Sequence, residues 1–382
     1  MAPLSAAEGT PAGAGATVAA PAPVDALAPL DFLGVVRTLS RVAACTPDGE
    51  IPARLSAPTV DAHCKMLATL TAQWSTRWLS QARPFFEQVV PKADLPDSVV
   101  YPFGGGDLLT ALVVFPHASE ITTLSLEPAG DPRLLETLDP PELADALLEV
   151  RRKVNHIFSV GHSKTTDMRK VATSKLPGDL VYSLAALSQN NFEMTSVKFF
   201  RVGATGELLY VTKADLDAVG LPDVTGRRSP YANVEISFRA RGGGPPRIFR
   251  HIAVNLDNAH MEADPSVLRH LQAKGRVAAI TKAASYLLWW KEFSNIRDYL
   301  LQNMVWMVSD STGIPTDQAR AAGFEQIPFG RFDGPFLGGG NRPTEVFKEL
   351  WADGAEPLKF RFGYPDSAGH DHLLITRRAT EK

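Results

Sequence analysis

The chain has 382 residues, of which 45% are hydrophobic and 21% charged, with a formal net charge of -3. These values describe a globular chain of one large or two modest domains with ample core volume. The small charge and the lack of a long basic block argue against a nucleic-acid partner, and no apolar run reaches the ~18 residues that a membrane span needs.

Residues 1–30 are nearly all Ala, Pro, Gly, Ser and Thr, with no Lys or Arg before Arg37. They read as a disordered tether, without the basic start and apolar core of a secretory signal. Localisation stays open between the cytoplasm and an exported protein whose leader was removed. Cys45 and Cys64 fit one disulfide of an exported protein or two separate thiols equally well. No Cys/His spacing marks a zinc site.

Apolar residues at helical spacing over Leu30–Ala43 and from about Ala57 to Val90 predict a helical lobe over 31–97. An α/β domain over 98–382 follows. Ser98–Phe103 reads as a strand, Gly104-Gly105-Gly106-Asp107 as a turn, Leu108–Phe115 as a helix and Ile121–Leu126 as a second strand, stopping at Glu127. Pro140-Pro141 opens a helix to about Val154, and a short apolar run, Ile157–Val160, leads into Gly161-His162-Ser163-Lys164-Thr165. A helix is predicted over Leu180–Leu187. Antiparallel pairs are predicted for Met194–Val202 with Glu207–Thr212 and for Val234–Arg239 with Arg247–Asp257. Helical stretches follow from Asp264 to Leu271, over Lys282–Trp290 and over Phe293–Val305. The polar loop Ser309–Pro315, a helix near Thr344–Trp351 and strands at Leu358–Phe362 and His372–Thr376 complete the chain. The expected fold is Rossmann-like α/β, a mostly parallel sheet with a helical N-terminal lobe and antiparallel C-terminal additions.

Tyr101-Pro102-Phe103-Gly104-Gly105-Gly106-Asp107, Leu126-Glu127-Pro128, Lys282–Leu288, Phe293–Arg297 and Ser309–Pro315 together resemble a family of uncharacterised bacterial proteins. The likeness covers most of the chain after residue 60. Members often look exported or lipid-anchored, and the family supplies no reaction. The strand–glycine–helix–strand unit is also similar to a methyltransferase-like Rossmann fold. That resemblance implies a first turn around the amino-acid end of S-adenosylmethionine and an acid after strand two on the ribose hydroxyls. It also implies Val254–Asn258 as a fourth strand with a polar exit.

The residues support a ligand independently. Glycines allow close backbone approach, a helix N-terminus offers free N–H groups, and an acid about 20 residues on can accept from a ribose. Gly104, Gly105, Gly106, Asp107 and Glu127 are therefore expected to hold a nucleotide-type ligand, which the methyltransferase-like resemblance implies could be S-adenosylmethionine. The competing reading is an ordinary tight turn with an Asp N-cap. Asp107 and Asp310 are candidate catalytic acids. Ser309, Ser311 and Thr312 are candidate substrate contacts, with Arg297 expected to pair with Asp310. Ser163 is a third catalytic candidate, as a hydrolase nucleophile fed by a strand, with His370 or His372 as base, although an ordinary polar loop weighs more. His370 and His372 with Asp310 or His251 make only a weak metal set, so no metal is expected. Trp289, Trp290 and Trp306 are expected to be core aromatics. The partner is a small molecule, in an enzyme of group-transfer type or in an exported, non-catalytic binding or cell-envelope protein.

Overall fold

The computed structural model describes residues 27–91, 95–160, 176, 178–219, 229–310, 313–332, 349–362 and 372–379. Most of the stretch read as a tether lies outside them. Helices α1 (Leu33–Ala43), α2 (Ala57–Trp74) and α3 (Ser80–Val89) come first. Ser56 caps α2 by accepting from the Thr59 N–H, and a proline occupies its first turn, where no N–H is missed. A π turn at Ser75–Leu79 joins α2 to α3, so the expected single helix is interrupted in its hydrogen bonding.

The chain continues through β1 (Ser98–Pro102), α4 (Leu108–Val114), β2 (Glu120–Ser125), α5 (Leu134–Thr137), α6 (Pro140–Val160) and α7 (Gly178–Gln189). Then come β3 (Phe192–Val202), β4 (Leu208–Tyr210), α8 (Lys213–Val219), β5 (Asn233–Ala240) and β6 (Arg247–Ala253). Helices α9 (Asn258–Ala263) and α10 (Ser266–Gln272) lead to β7 (Val277–Thr281), α11 (Ser294–Asn303) and β8 (Met304–Ser309). The last elements are α12 (Thr316–Ala321), β9 (Phe324–Gly330) and β10 (His372–Arg378).

All ten strands form one sheet in the order β4-β3-β5-β6-β2-β1-β7-β8-β10-β9. Strands β6, β2, β1, β7 and β8 run parallel, and the pairs outside this core are antiparallel. The α/β class is as expected, and the two antiparallel pairs expected in mid-chain, β3 with β4 and β5 with β6, lie on one side of the parallel core, with β10 and β9 on the other. The chain moves from β1 to β2 and later β6, then crosses to β7 and β8 on the other side of β1. That reversal puts the topological switch point at the carboxyl ends of β1 and β7. Pro102 is tolerated in β1 because β7 pairs only with Val99 and Val100.

The strand alternation sorts side chains to two cores. Val99 and Tyr101 share one with α1, α3, α4, α6 and α7, so the N-terminal helices pack into the same core as the sheet. Val100 faces the other, with Leu124, Ile252, Leu271, Leu300 and Met307. Trp306 is in the first core as expected, whereas Trp290 is half exposed.

Four local expectations are corrected. The fourth parallel strand is Val277–Thr281, whereas β6 ends at Ala253 and Asp257 caps α9. Ile157–Val160 is the end of α6: Leu143, Leu147, Val150, Val154 and Ile157 recur at fours and threes and are all buried. The helix expected to reach Val305 stops at Asn303, where β8 begins. Leu358–Phe362 forms no strand, and Phe360 instead packs on Phe85 and Phe86 of α3.

Cys45, after α1, is disulfide-bonded to Cys64 in α2, with the Cα atoms 5.6 Å apart. No helix among the described residues is long and apolar enough to cross a membrane.

Candidate functional site

The glycine turn follows β1 at the switch point. The Gly104 N–H donates to the Tyr101 carbonyl at 3.2 Å, and Phe103 and Gly105 both adopt positive φ. A Cβ on Gly104 would lie 2.5 Å from the Tyr101 ring. One on Gly106 would lie 2.8 Å from Cβ of Tyr182 and 3.3 Å from the Asp179 carbonyl, both on α7. These glycines let α7 and a tyrosine close on the turn, and all three are buried.

Asp107 is the N-cap of α4. Its Oδ1 accepts from the Thr110 N–H at 3.1 Å and the Thr110 hydroxyl at 2.9 Å. Its Oδ2 accepts from the Tyr101 hydroxyl at 2.9 Å and faces Lys282 Nζ at 2.9 Å. Four donors fill a carboxylate's capacity, so Asp107 has none left for a ligand. Burial, followed by the Asp107 charge, pushes the Tyr101 phenol well above its ordinary range.

Asp310 is fully buried after β8 and accepts from the Ala283 N–H and the Ser285 hydroxyl, fixing the turn after β7. Asp310 and Asp107 thus hold adjacent residues, Ala283 and Lys282, of one turn. Arg297 does not pair with Asp310. Its Nη1 donates to the carbonyls of Leu288 at 2.9 Å and Trp290 at 3.2 Å. Ser309 is buried and donates to the Leu374 carbonyl at 3.5 Å. Ser163, Ser311, Thr312 and His370 lie outside the described residues. The strand needed to feed a serine elbow is instead the end of α6, so the geometry gives the hydrolase reading no support. His372 is buried against Phe332 and Trp351, and no group of metal-ligating type occurs among the described residues.

Beside the turn lies a second polar group, built by β2, β6 and α7. Thr123 and His251 are register partners in β2 and β6. His251 Nε2 is 2.8 Å from the Glu127 carbonyl and Nδ1 is 3.0 Å from the Thr123 hydroxyl. A carbonyl only accepts, so Nε2 carries a proton, while the Thr123 hydroxyl can pair with Nδ1 in either direction. Asp179 Oδ2 lies 3.3 Å from Nε2 and accepts from the Ser125 hydroxyl at 3.5 Å. That histidine–acid distance is within ion-pair range, yet burial lowers the His251 pKa. Burial, then the Glu127 charge, raises that of Asp179 well above the carboxylate range, while Lys153 opposes the rise. Both shifts disfavour an ion pair between the two side chains.

Asp179 is 2% exposed. Its Oδ1, Glu127 Oε1 and the Tyr182 hydroxyl are buried without hydrogen-bond partners among the described residues. Lys153, whose charge opposes the rise at Asp179, is paired with Glu149. Of the predicted residues, the structure thus brings together Gly104, Gly105, Gly106 and Glu127 with Asp179, which the sequence did not assign, and His251, which it considered only as a weak metal ligand. A usable signal existed for Asp179: it heads a helix whose next eight residues, Leu180–Leu187, are all buried, so its acid had to be buried too.

Three cavities outlined by described residues lie elsewhere. One of about 200 Å³ borders Cys45 and Cys64, one of about 210 Å³ borders Trp74, Trp78 and Phe158, and one of about 780 Å³ borders Arg54, His63 and Arg151. No family model, curated protein or solved structure matches the chain.

Proposed function

We propose that the chain binds a small polar, nucleotide-like ligand at the carboxyl ends of β1, β2 and β6, with Glu127 and Asp179 as its receiving acids. The observation that carries this reading is the pair of buried, partnerless oxygens, Glu127 Oε1 and Asp179 Oδ1, beside a glycine turn at a switch point. Buried polar atoms without partners are costly, and folds retain them chiefly where something else satisfies them. The order β6-β2-β1-β7-β8, with β10 entering antiparallel beside β8, also suits a methyltransferase-like frame. Group transfer from an S-adenosylmethionine-type donor is the enzymatic form of the reading. The test is a melting-temperature screen with S-adenosylmethionine, ATP and NAD, repeated with Glu127→Gln. A ligand at ~100 times its Kd stabilises by about 2.7 kcal/mol, and the variant is expected to lose most of that gain. A flat screen on the wild type would sink the reading.

One observation favours a second reading, an exported binding or cell-envelope protein. Disulfides such as Cys45–Cys64 persist mainly in oxidising compartments, where S-adenosylmethionine is absent and another polar ligand would fill the site. Thiol counting on denatured native material separates the two: two free thiols remove the second reading.

A further inference from the structure

We propose that the ligand group received by Glu127 and Asp179 is an organic cation, an ammonium or sulfonium centre, whose arrival displaces a proton from Asp179. This rests on the ligand-binding reading above and narrows it.

Most charges on the described elements around Asp179 are balanced within them. From α6 come Glu149 and Lys153, which pair with each other, Lys153 also donating to the Leu176 carbonyl at 3.5 Å. From β6 comes His251, whose burial lowers its pKa and so disfavours the charged ring. At the cap of α4 stands Asp107, balanced by Lys282. From α7 itself comes Tyr182, whose phenol burial and Asp179 hold in the neutral form. Among the described residues, Glu127, beyond β2, and Asp179 remain as acids not balanced by a base.

A buried carboxyl near a second acid resists ionisation. In the free protein burial and then the Glu127 charge keep the Asp179 carboxyl protonated well above the usual carboxylate range. A cation provides the same neutralisation and lets the proton leave to solvent, so no covalent bond other than O–H changes. An anionic group would be repelled by the same Glu127 charge that raises the Asp179 pKa. A metal ion is a poor occupant, because the described residues hold no set of three or more ligating His, Cys, Asp or Glu side chains. An ammonium or sulfonium needs no coordination shell, only charge and acceptors, and the two orphan oxygens supply both.

The test compares adenosine with 5′-amino-5′-deoxyadenosine, which differ by a hydroxyl against an ammonium. Calorimetry in buffers of unlike ionisation heat, at roughly pH 6 and pH 8, counts protons. The expected result is about tenfold tighter binding of the amine, proton release on binding, and an affinity that rises with pH. Asp179→Asn should abolish the preference, and Asp179→Glu should restore part of it. Equal affinities, or proton uptake, overturn the inference. If neither nucleoside binds, the nucleotide-like reading falls separately, and methylammonium chloride becomes the probe of the cation. It should raise the melting temperature of the wild type, but not of Asp179→Asn, above that in sodium chloride of equal ionic strength. No difference between the salts then overturns the inference.

Discussion

Asp179 is the residue at which stability and binding are most opposed. Its native pKa is raised by burial and by Glu127, so the folded chain holds a proton that the unfolded chain releases above the ordinary carboxylate pKa. The native state then binds more protons than the unfolded state, and stability falls as pH climbs from ~3.8 through the raised value. His251, whose pKa is lowered by burial, acts oppositely: its contribution is complete above ~6.5 and is lost as pH falls below that toward the native value. Comparing Asp179→Asn with the wild type cancels the histidine's share. The variant is expected to melt close to the wild type near pH 4 and about 2–4 °C higher near pH 8. A difference that stays flat or shrinks with rising pH would show that the acid is not held protonated. Phe103 is a smaller reserve of the same kind. Its φ of 62° costs a bulky residue about 1 kcal/mol, so Phe103→Gly gains on backbone strain what it loses in its contact with the Phe293 ring.

At the scale of elements, the contact of α7 with the glycine turn sets the shape of the site. A methyl group added at Gly106 would meet Tyr182 Cβ at 2.8 Å and the Asp179 carbonyl at 3.3 Å. Neither is the free end of a flexible chain, so α7 would have to shift. Gly106→Ala is expected to cost about 1–3 kcal/mol and to disturb ligand binding through Asp179. Gly34→Ala is the matched control. That glycine lies in α1 with open space around its Cβ position, and the change should stabilise by about 0.5 kcal/mol. Urea unfolding of both variants decides whether close packing or glycine content matters. The elements that frame the turn were legible. Ser98–Phe103, the glycines and Leu108–Phe115 carry strand alternation, turn chemistry and an apolar helix, and they appear as β1, the turn and α4. Strand β7 was not legible, because Val277-Ala278-Ala279-Ile280-Thr281 is buried on both faces, which removes the alternation that marks a strand. Ile157–Val160 looked like a separate run because Asn155 and His156 break the apolar pattern locally, although the longer period of α6 runs through Ile157. Glu127 was legible as the acid after β2. Asp179 and His251 were not, because the long crossover from β2 to β6 brings them to it, and local spacing carries no record of that journey.

At the scale of the whole molecule, the helices α1–α3 and the sheet share one core, and the Cys45–Cys64 bond ties two of those helices together away from the carboxyl edge. The cysteines are 19 residues apart in sequence. Closing a loop of that size removes unfolded-state entropy worth about 3 kcal/mol. The sulfurs take no part in the proposed site, so reduction should lower stability while leaving the site's chemistry intact. The expected outcome is a lower urea midpoint in dithiothreitol, by the equivalent of about 2–4 kcal/mol. The double variant Cys45→Ser/Cys64→Ser should show a similar loss under non-reducing conditions. Ligand affinity, measured below the onset of unfolding, should not change. If reduction left the midpoint where it was, the bond would be absent from the folded protein in solution. If it weakened binding without unfolding, α1 and α2 would be transmitting to the carboxyl edge through α7, which packs against α1 and α4. The first outcome would also take away the one observation that favours an oxidising compartment.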